Sequence, residues 1–202
     1  MIKQTIKSLA AHFIRSMEKF MKFEEKEFTL KDGRKCVLKP TSPEYAAEMI
    51  EYMKKTPEET PYLLRYPDEV NFTLESEQEL LGRLYEDPYS IMMVPIVDGK
   101  VAGNGSINGI GTKRKIIHRC SLAIALYKEY WGLGIGKAMI DYMTELAAKI
   151  GWKQVDLEVV AENERAQALY KKCGFAETGR RHNALRFDDG TCHDEILMYK
   201  EL

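Results

Sequence analysis

Between Phe28 and the C-terminus, apolar and polar positions change period several times, and each change marks an element. Phe28–Leu30 and Cys36–Lys39 alternate on either side of Asp32-Gly33, a dipeptide suited to the positive φ angles of a hairpin turn. Ser42 and Pro43 open a helix carried by Ala46, Met49, Ile50 and Met53, because proline fits the first turn, where its missing N–H has no partner to lose. Residues 56–71 hold three prolines and read as a long loop, after which a helix over Leu74–Tyr85 stops before Pro88. Ile91–Val97 and Val101–Ile107 read as strands joined by Asp98-Gly99.

Past a basic turn at Lys113, Arg114 and Lys115, a strand runs through Leu122, Ile124 and Leu126. The period then lengthens: Ile135, Met139, Tyr142, Leu146 and Ile150 lie on one face of a helix that Gly151 ends. Val155–Val160 is a short buried-looking strand, Asn163 caps a helix running to Lys172, and two strands over 175–187 and 192–200 flank Asp188-Asp189-Gly190. A hairpin, helices, a second hairpin and then β-α-β-α-β-β predict one α/β sheet of mixed direction, parallel across the crossover.

Residues 1–23 stand apart from this domain of residues 24–202. Ile2, Ile6, Leu9, Phe13, Met17 and Phe20 make an amphipathic helix, with Lys3, Lys7, Arg15, Lys19 and Lys22 on its polar side. Such a helix packs on the domain or on a second subunit; a membrane-surface or targeting role is the alternative. A net charge of −1 provides no general attraction to nucleic acid, and no run reaches the ~18 apolar residues of a membrane span. Cys36, Cys120, Cys173 and Cys192 are scattered without a CxxC pair, which fits reduced thiols in the cytoplasm and no metal site.

The chemistry-bearing segment is Tyr130-Trp131-Gly132-Leu133-Gly134-Ile135-Gly136-Lys137, between a strand and a helix. Glycines there let the backbone aim several N–H groups at one point, and the helix adds its positive end, so the loop is either a phosphate cradle or simply a tight turn. It is not a Walker A loop, since Trp131 and Ala138 stand where Gly and Ser or Thr belong, and its GxGxG spacing is not the dinucleotide GxGxxG. Downstream, Ala166, Leu169, Tyr170 and Cys173 share a helix face. Taken singly, Asn163 is an N-cap and Tyr170 a core aromatic.

Taken together, the two segments resemble the GNAT superfamily of N-acetyltransferases. Its coenzyme A signature is Gln/Arg-x-x-Gly-x-Gly/Ala, matched here by Gly134 and Gly136, with Trp131 in place of Gln or Arg. Its second signature is filled at every fixed position by Asn163, Ala166, Leu169, Tyr170, Gly174 and Phe175. The Tyr-Trp-Gly form is similar to the branch of ribosomal-protein N-terminal acetyltransferases. The resemblance covers roughly residues 25–200 and implies a mostly antiparallel central sheet flanked by helices, with splayed fourth and fifth strands.

It further implies that acetyl-CoA enters between those strands as co-substrate. Ala125, Leu126 and Tyr127 would pair with the pantetheine arm, and Gly132, Leu133, Gly134, Ile135, Gly136 and Lys137 would cradle the pyrophosphate. Asn163 would reach the pantetheine, and Tyr170 would serve the departing thiolate as acid. A backbone N–H of Leu126 or Tyr127 would hold the oxyanion. Ser121 occupies the base position of histone-type members and cannot serve, whereas Glu158, twelve residues before Tyr170, matches the base spacing of the ribosomal branch.

The resemblance places the acceptor between residues 42–85 and 180–193, and a small amine is the expected acceptor because nothing in the chain is basic enough for ribosomal association. Glu58, Glu59, Asp68 and Glu69 could attract it and Tyr62 and Tyr66 pack on it, although charges in such a loop are ordinarily only solvated. The alternatives are a protein N-terminal or lysine amine as acceptor, or a non-catalytic acyl-CoA sensor. A homodimer is compatible with this reading.

Overall fold

The computed structural model describes residues 23–87 and 89–202. The amphipathic helix expected over residues 1–23 therefore lies outside the described residues, apart from Phe23. Phe23 belongs to the domain instead: it is buried, edge-on to Tyr142 at 5.6 Å.

The described strands are β1 (Lys26–Thr29), β2 (Lys35–Pro40), β3 (Ser90–Val97), β4 (Lys100–Val101), β5 (Gly103–Gly109), β6 (Arg119–Leu126), β7 (Gln154–Val160), β8 (Ala176–Arg186) and β9 (Cys192–Glu201). The described α-helices are α1 (Ala46–Glu59), α2 (Leu74–Glu86), α3 (Ile135–Ile150) and α4 (Glu164–Lys172). The strands form one sheet in the order β1-β2-β3-β5-β6-β7-β9-β8, with β4 pairing β3. Every pairing is antiparallel except β6 with β7, the crossover pair.

The apolar pattern explains the layering. β3 is apolar nearly throughout because both its faces are covered. Ile91, Met93 and Val97 join the larger core with Met139, Ile140 and Met143 of α3, while Val94 packs with Met49 and Tyr52 of α1 and Leu81 of α2. α3 thus covers one face and α1 with α2 the other. The last strand in the order, β8, is largely exposed and carries charged residues, as an edge should.

The proline-rich stretch departs from expectation. Residues 56–59 continue α1, with Pro57 inside its last turn, where its missing N–H affects only the Met53 carbonyl at the end of the ladder. Thr56 is buried and donates its Oγ1 hydroxyl to the Tyr52 carbonyl at 2.7 Å.

α1 also holds the strand that matters most. The buried Tyr52 hydroxyl donates to the Ala125 carbonyl at 3.1 Å, tying α1 to the end of β6. Removing that hydroxyl deletes one buried hydrogen bond and little packing. Tyr52→Phe is therefore expected to cost about 1 kcal/mol, a Tm decrease of about 2–4 °C readable by thermal denaturation.

Candidate active site

The crossover pair separates. β6 and β7 pair only at Arg119–Gln154, Cys120–Val155 and Ser121–Asp156, and beyond that point β6 stays with β5 while β7 stays with β9. An ion pair marks the last register: Arg119 donates Nε and Nη2 to Asp156 Oδ2 at 2.9 and 2.6 Å. Past it lies a cleft of about 1020 Å³ that takes in Ser121 to Leu126, the glycine loop, Glu158, Asn163 and Tyr170.

Alternation along β6 decides which backbone groups face that cleft. The Tyr127 N–H donates to the Ala102 carbonyl at 3.1 Å, so odd-numbered residues of the strand bond to β5 and even-numbered ones face the opposite way. Ile124 and Leu126 thus turn their N–H groups to the cleft, whereas Ala125 and Tyr127 turn theirs to β5. This corrects the expectation that three successive residues pair with an inserted arm, and it removes the Tyr127 N–H as an oxyanion donor. The Tyr127 ring packs edge-on to Tyr52 at 5.5 Å, under Lys55, away from the cleft lining. Strand parity limits the cleft-facing N–H groups to alternate residues, and the Tyr127–Ala102 bond decides that Ile124 belongs to that set.

The glycine loop continues from β6. Gly132 (φ 80°) and Gly134 (φ 100°) adopt left-handed backbone, which bends the chain into the N-terminus of α3. The Leu133 carbonyl accepts from the Lys31 N–H at 3.2 Å, so the β1–β2 turn holds the loop in place, although Leu133 itself does not line the cleft. The first α3 bond closing on the loop is Ala138 N–H to Gly134 O, at 3.1 Å. Among the described residues, none of the six consecutive N–H groups from Gly132 to Lys137 has an acceptor. Gly136 answers a different need: a Cβ there would meet Leu169 Cδ2 at 3.0 Å, so its absence lets α4 approach α3.

Trp131 fills the place of the signature's Gln or Arg. Its Nε1 donates to the Leu126 carbonyl at 2.9 Å, and its ring lies 4.4 Å from the Arg165 guanidinium. Lys31, Lys137, Arg165 and Lys172 all line the cleft, giving this end a cationic rim. Arg165 was not singled out in the sequence, since a first-turn helix arginine carries no signal of its own.

Asn163 does cap α4: its Oδ1 accepts from the Ala166 N–H at 3.2 Å, leaving the side-chain NH2 to the cleft it lines. Tyr170 packs against Phe175, and burial pushes its phenol up to about 12. Its hydroxyl has no hydrogen-bond partner among the described residues. Leu157 and Val159 face the α3 core, so Glu158 faces the opposite side of the sheet. Glu158 and Tyr170 therefore meet the cleft from opposite faces, across the gap between the strands. Glu158 is half-exposed and receives Arg181 Nη2 at 2.8 Å.

Of the acceptor-side candidates only Tyr62 lines the cleft, beside Thr60, Leu63 and Leu64. Glu59 accepts the Lys128 N–H at 2.6 Å, and Glu69 accepts the Tyr66 N–H at 2.8 Å. Both carboxylates therefore hold local backbone. Tyr66 accepts from the Asp188 N–H at 3.0 Å, joining this loop to the β8–β9 turn. Leu185, within the expected 180–193 stretch, and Glu195, outside it, complete this end; Glu195 was unforeseen because its placement depends on strand register. Cys173 is buried and desolvation raises its thiol pKa, consistent with packing.

A family model described as "Acetyltransferase (GNAT) family" matches residues 45–175. The chain belongs to the GNAT acetyltransferase family. A Bacillus subtilis protein provisionally named a ribosomal protein bS18-alanine N-acetyltransferase is 33% identical over 116 residues, 57% of this chain and 72% of that one. The Escherichia coli ribosomal protein bS18-alanine N-acetyltransferase is 31% identical over 96 residues, 47% of this chain and 64% of its own length. A GNAT-family acetyltransferase from Streptococcus pneumoniae superposes with a TM-score of 0.78 at 25% identity, covering 83% of this chain and 99% of that one. As a GNAT member the chain is an acetyl-CoA-dependent N-acetyltransferase acting on amines.

The loop geometry is testable at Gly134. A Cβ there meets nothing within 4 Å, so Gly134→Ala pays only for its positive φ, about 1–2 kcal/mol. Relieving that strain turns the loop amides aside. Gly134→Ala should bind coenzyme A at least tenfold more weakly by calorimetry while the far-ultraviolet circular dichroism is retained.

Proposed function

We propose that the protein transfers the acetyl group of acetyl-CoA to a small primary amine by direct attack in a ternary complex. The observation that carries the reading is the run of unpaired N–H groups from Gly132 to Lys137, at a helix N-terminus and beside two opened strands. Convergent amides without acceptors at a helix N-terminus favour an anion, and a pyrophosphate supplies several acceptor oxygens at once. Ile124 and Leu126 offer strand-edge groups to the amides of a pantetheine arm, with the Asn163 NH2 beside them.

The Leu126 N–H is the donor for the carbonyl oxygen as charge develops on it. The Ala125 carbonyl of the same peptide unit accepts from the buried Tyr52 hydroxyl, which holds that plane. Glu158 takes the proton of the attacking amine, directly or through water. The demand on it depends on the acceptor: a lysine-like amine costs roughly 4–5 kcal/mol to deprotonate at pH 7, an N-terminal amine about 1 kcal/mol. As the C–N bond forms the C–S bond breaks, and the electron pair leaves on sulfur.

Tyr170 meets that sulfur as a donor. A phenol at about 12 keeps its proton throughout the working range, and full transfer to a thiolate near 8.5 is uphill by about 5 kcal/mol. The contribution of Tyr170 is then a hydrogen bond that strengthens as the thiolate forms, and solvent completes protonation. The cysteines take no part.

A small acceptor is favoured by the contact between Tyr66 and Asp188, which joins the walls at the acceptor end. A protein N-terminus is the second reading, favoured by the names of the Bacillus and E. coli relatives. Thiol release from acetyl-CoA with small primary amines and with alanine-starting peptides decides between them. Binding of coenzyme A without turnover on either class would instead make the protein a sensor.

Two substitutions test the roles. Glu158→Gln should lower kcat by about 10²-fold on a lysine-like amine and move the acidic limb of the pH profile, with coenzyme A affinity unchanged; an unaltered profile removes Glu158 from the mechanism. Tyr170→Phe should reduce kcat more than it weakens binding, and equal losses would make it a binding residue only. Absence of any calorimetric response to coenzyme A or acetyl-CoA would overturn the whole reading.

A further inference from the structure

The cleft carries a second carboxylate, and one arginine grips both. On β9, Glu195 lies opposite Val160, while Glu158 lies opposite Leu197. Residues two apart on a strand share a face, so Glu195 is the diagonal neighbour of Glu158. Arg181 of β8 lies directly opposite Glu195, on that same face. Its fork reaches both: Nη1 donates to Glu195 Oε2 at 2.6 Å and Nη2 to Glu158 Oε1 at 2.8 Å. Both carboxylates line the cleft, whereas Arg181 does not.

The three side chains differ in how firmly they are held. The Glu195 side chain is 14% exposed, against 51% for both Glu158 and Arg181. Glu195 is the fixed point. Arg181, gripping it through one nitrogen, has its second nitrogen placed against Glu158. A half-exposed glutamate without such a partner samples several rotamers, most of them aimed away from any one reacting atom. Only one oxygen of Glu158 is engaged; Oε2 has no partner among the described residues and is left for a proton.

The backbone is shaped to deliver this arginine. The β8–β9 register shifts once between Glu177 and Gly179, runs regularly from Gly179–Leu197 to Arg181–Glu195, then shifts again before resuming at Leu185–His193. Asn183 within the bulge has φ 50°, and its N–H donates to Asp194 Oδ1 at 2.9 Å. Arg180 and His182 also bond Asp194, at 2.6 and 3.0 Å to Oδ2. The N–H of Asn183, with Arg180 and His182, holds the Asp194 carboxyl down to about 2, so this anchor stays ionised at any working pH. Bulges beside active sites commonly re-aim a side chain, and here the bulge starts at the residue that bridges the two carboxylates.

We propose that Arg181 is a positioning residue for the acetyl transfer: anchored on Glu195, it fixes Glu158 so that the free carboxylate oxygen of Glu158 meets the acceptor amine. The inference rests on Glu158 being the base. Because Arg181 acts through Glu158, its effect disappears once Glu158 can no longer take a proton. A residue that merely stabilises the fold would instead add its loss to any background.

The test is a double-mutant cycle on full-length protein, using initial rates of thiol release from acetyl-CoA with the best amine of the panel. Calorimetry with coenzyme A and a thermal melt control for the cofactor end and the fold. Arg181→Met should lower kcat at least tenfold with coenzyme A affinity unchanged. Glu195→Gln, which loosens the anchor, should fall in the same direction by less. Arg181→Lys should recover only part of the loss, because an ammonium cannot fork between two carboxylates. In a Glu158→Gln background, Arg181→Met should change kcat less than twofold.

A tenfold loss repeated in that background, or an Arg181→Met enzyme as fast as the parent, overturns the proposal. If Glu158→Gln alone retains full activity, the assignment of the base has failed and the positioning role fails with it. Impaired Glu158→Gln beside an unaffected Arg181→Met sinks the positioning role alone.

Discussion

The site depends on a parallel pairing that stops after three residues. Up to Ser121 and Asp156 the strands satisfy one another's backbone groups; beyond that, each follows its antiparallel neighbour and leaves the other's edge open. Interrupting a ladder inside a sheet is costly unless something else meets the exposed groups. The cleft residues are the partial answer: the Trp131 indole takes the Leu126 carbonyl, and the remaining edge faces solvent or a ligand. The gap also lets Tyr170, from the α3 side, and Glu158, from the α1 side, address one space.

The proposed cofactor and acceptor ends are built by different means. The first is backbone: six amides, two positive-φ glycines and the end of a helix, with three lysines and one arginine at its rim. The acceptor end is side chain: a glutamate pair bridged by an arginine, Tyr62, and the leucines at 63, 64 and 185. Main-chain recognition survives almost any substitution that keeps the loop's shape. Side-chain recognition changes with each residue, so on the proposed reading specificity for the amine belongs to the end where sequence similarity carries least.

This division also explains what could be read from the sequence. The helix over Ile135–Ile150, the Asn163 cap, the hairpin turns and the succession of elements from β6 onward all follow from local chemistry, and the structure reproduces them. Three features escaped. Pro57 sits within α1 because a proline in a last turn removes only one end bond, something a bare breaker rule overlooks. The backbone pairing was assigned to three consecutive residues of β6, where parity permits only alternate ones. Glu195 and Arg181 were invisible because their meeting with Glu158 depends on the registers of β7, β9 and β8, with a bulge that no local signal announces.

Trp131 has one further consequence. An unpaired strand edge invites any extended chain to add itself, and proteins usually defend such edges with charge, prolines or bulges. Here the indole occupies the Leu126 carbonyl at the mouth of the gap, and the stretch of β6 left without β7, Leu122 to Leu126, is short and turns only alternate residues outward. A foreign peptide would find too few hydrogen bonds to anneal there, whereas a slender arm with two amides finds enough. The same tryptophan that replaces a family glutamine or arginine thereby guards the molecule against aggregating through its own working groove.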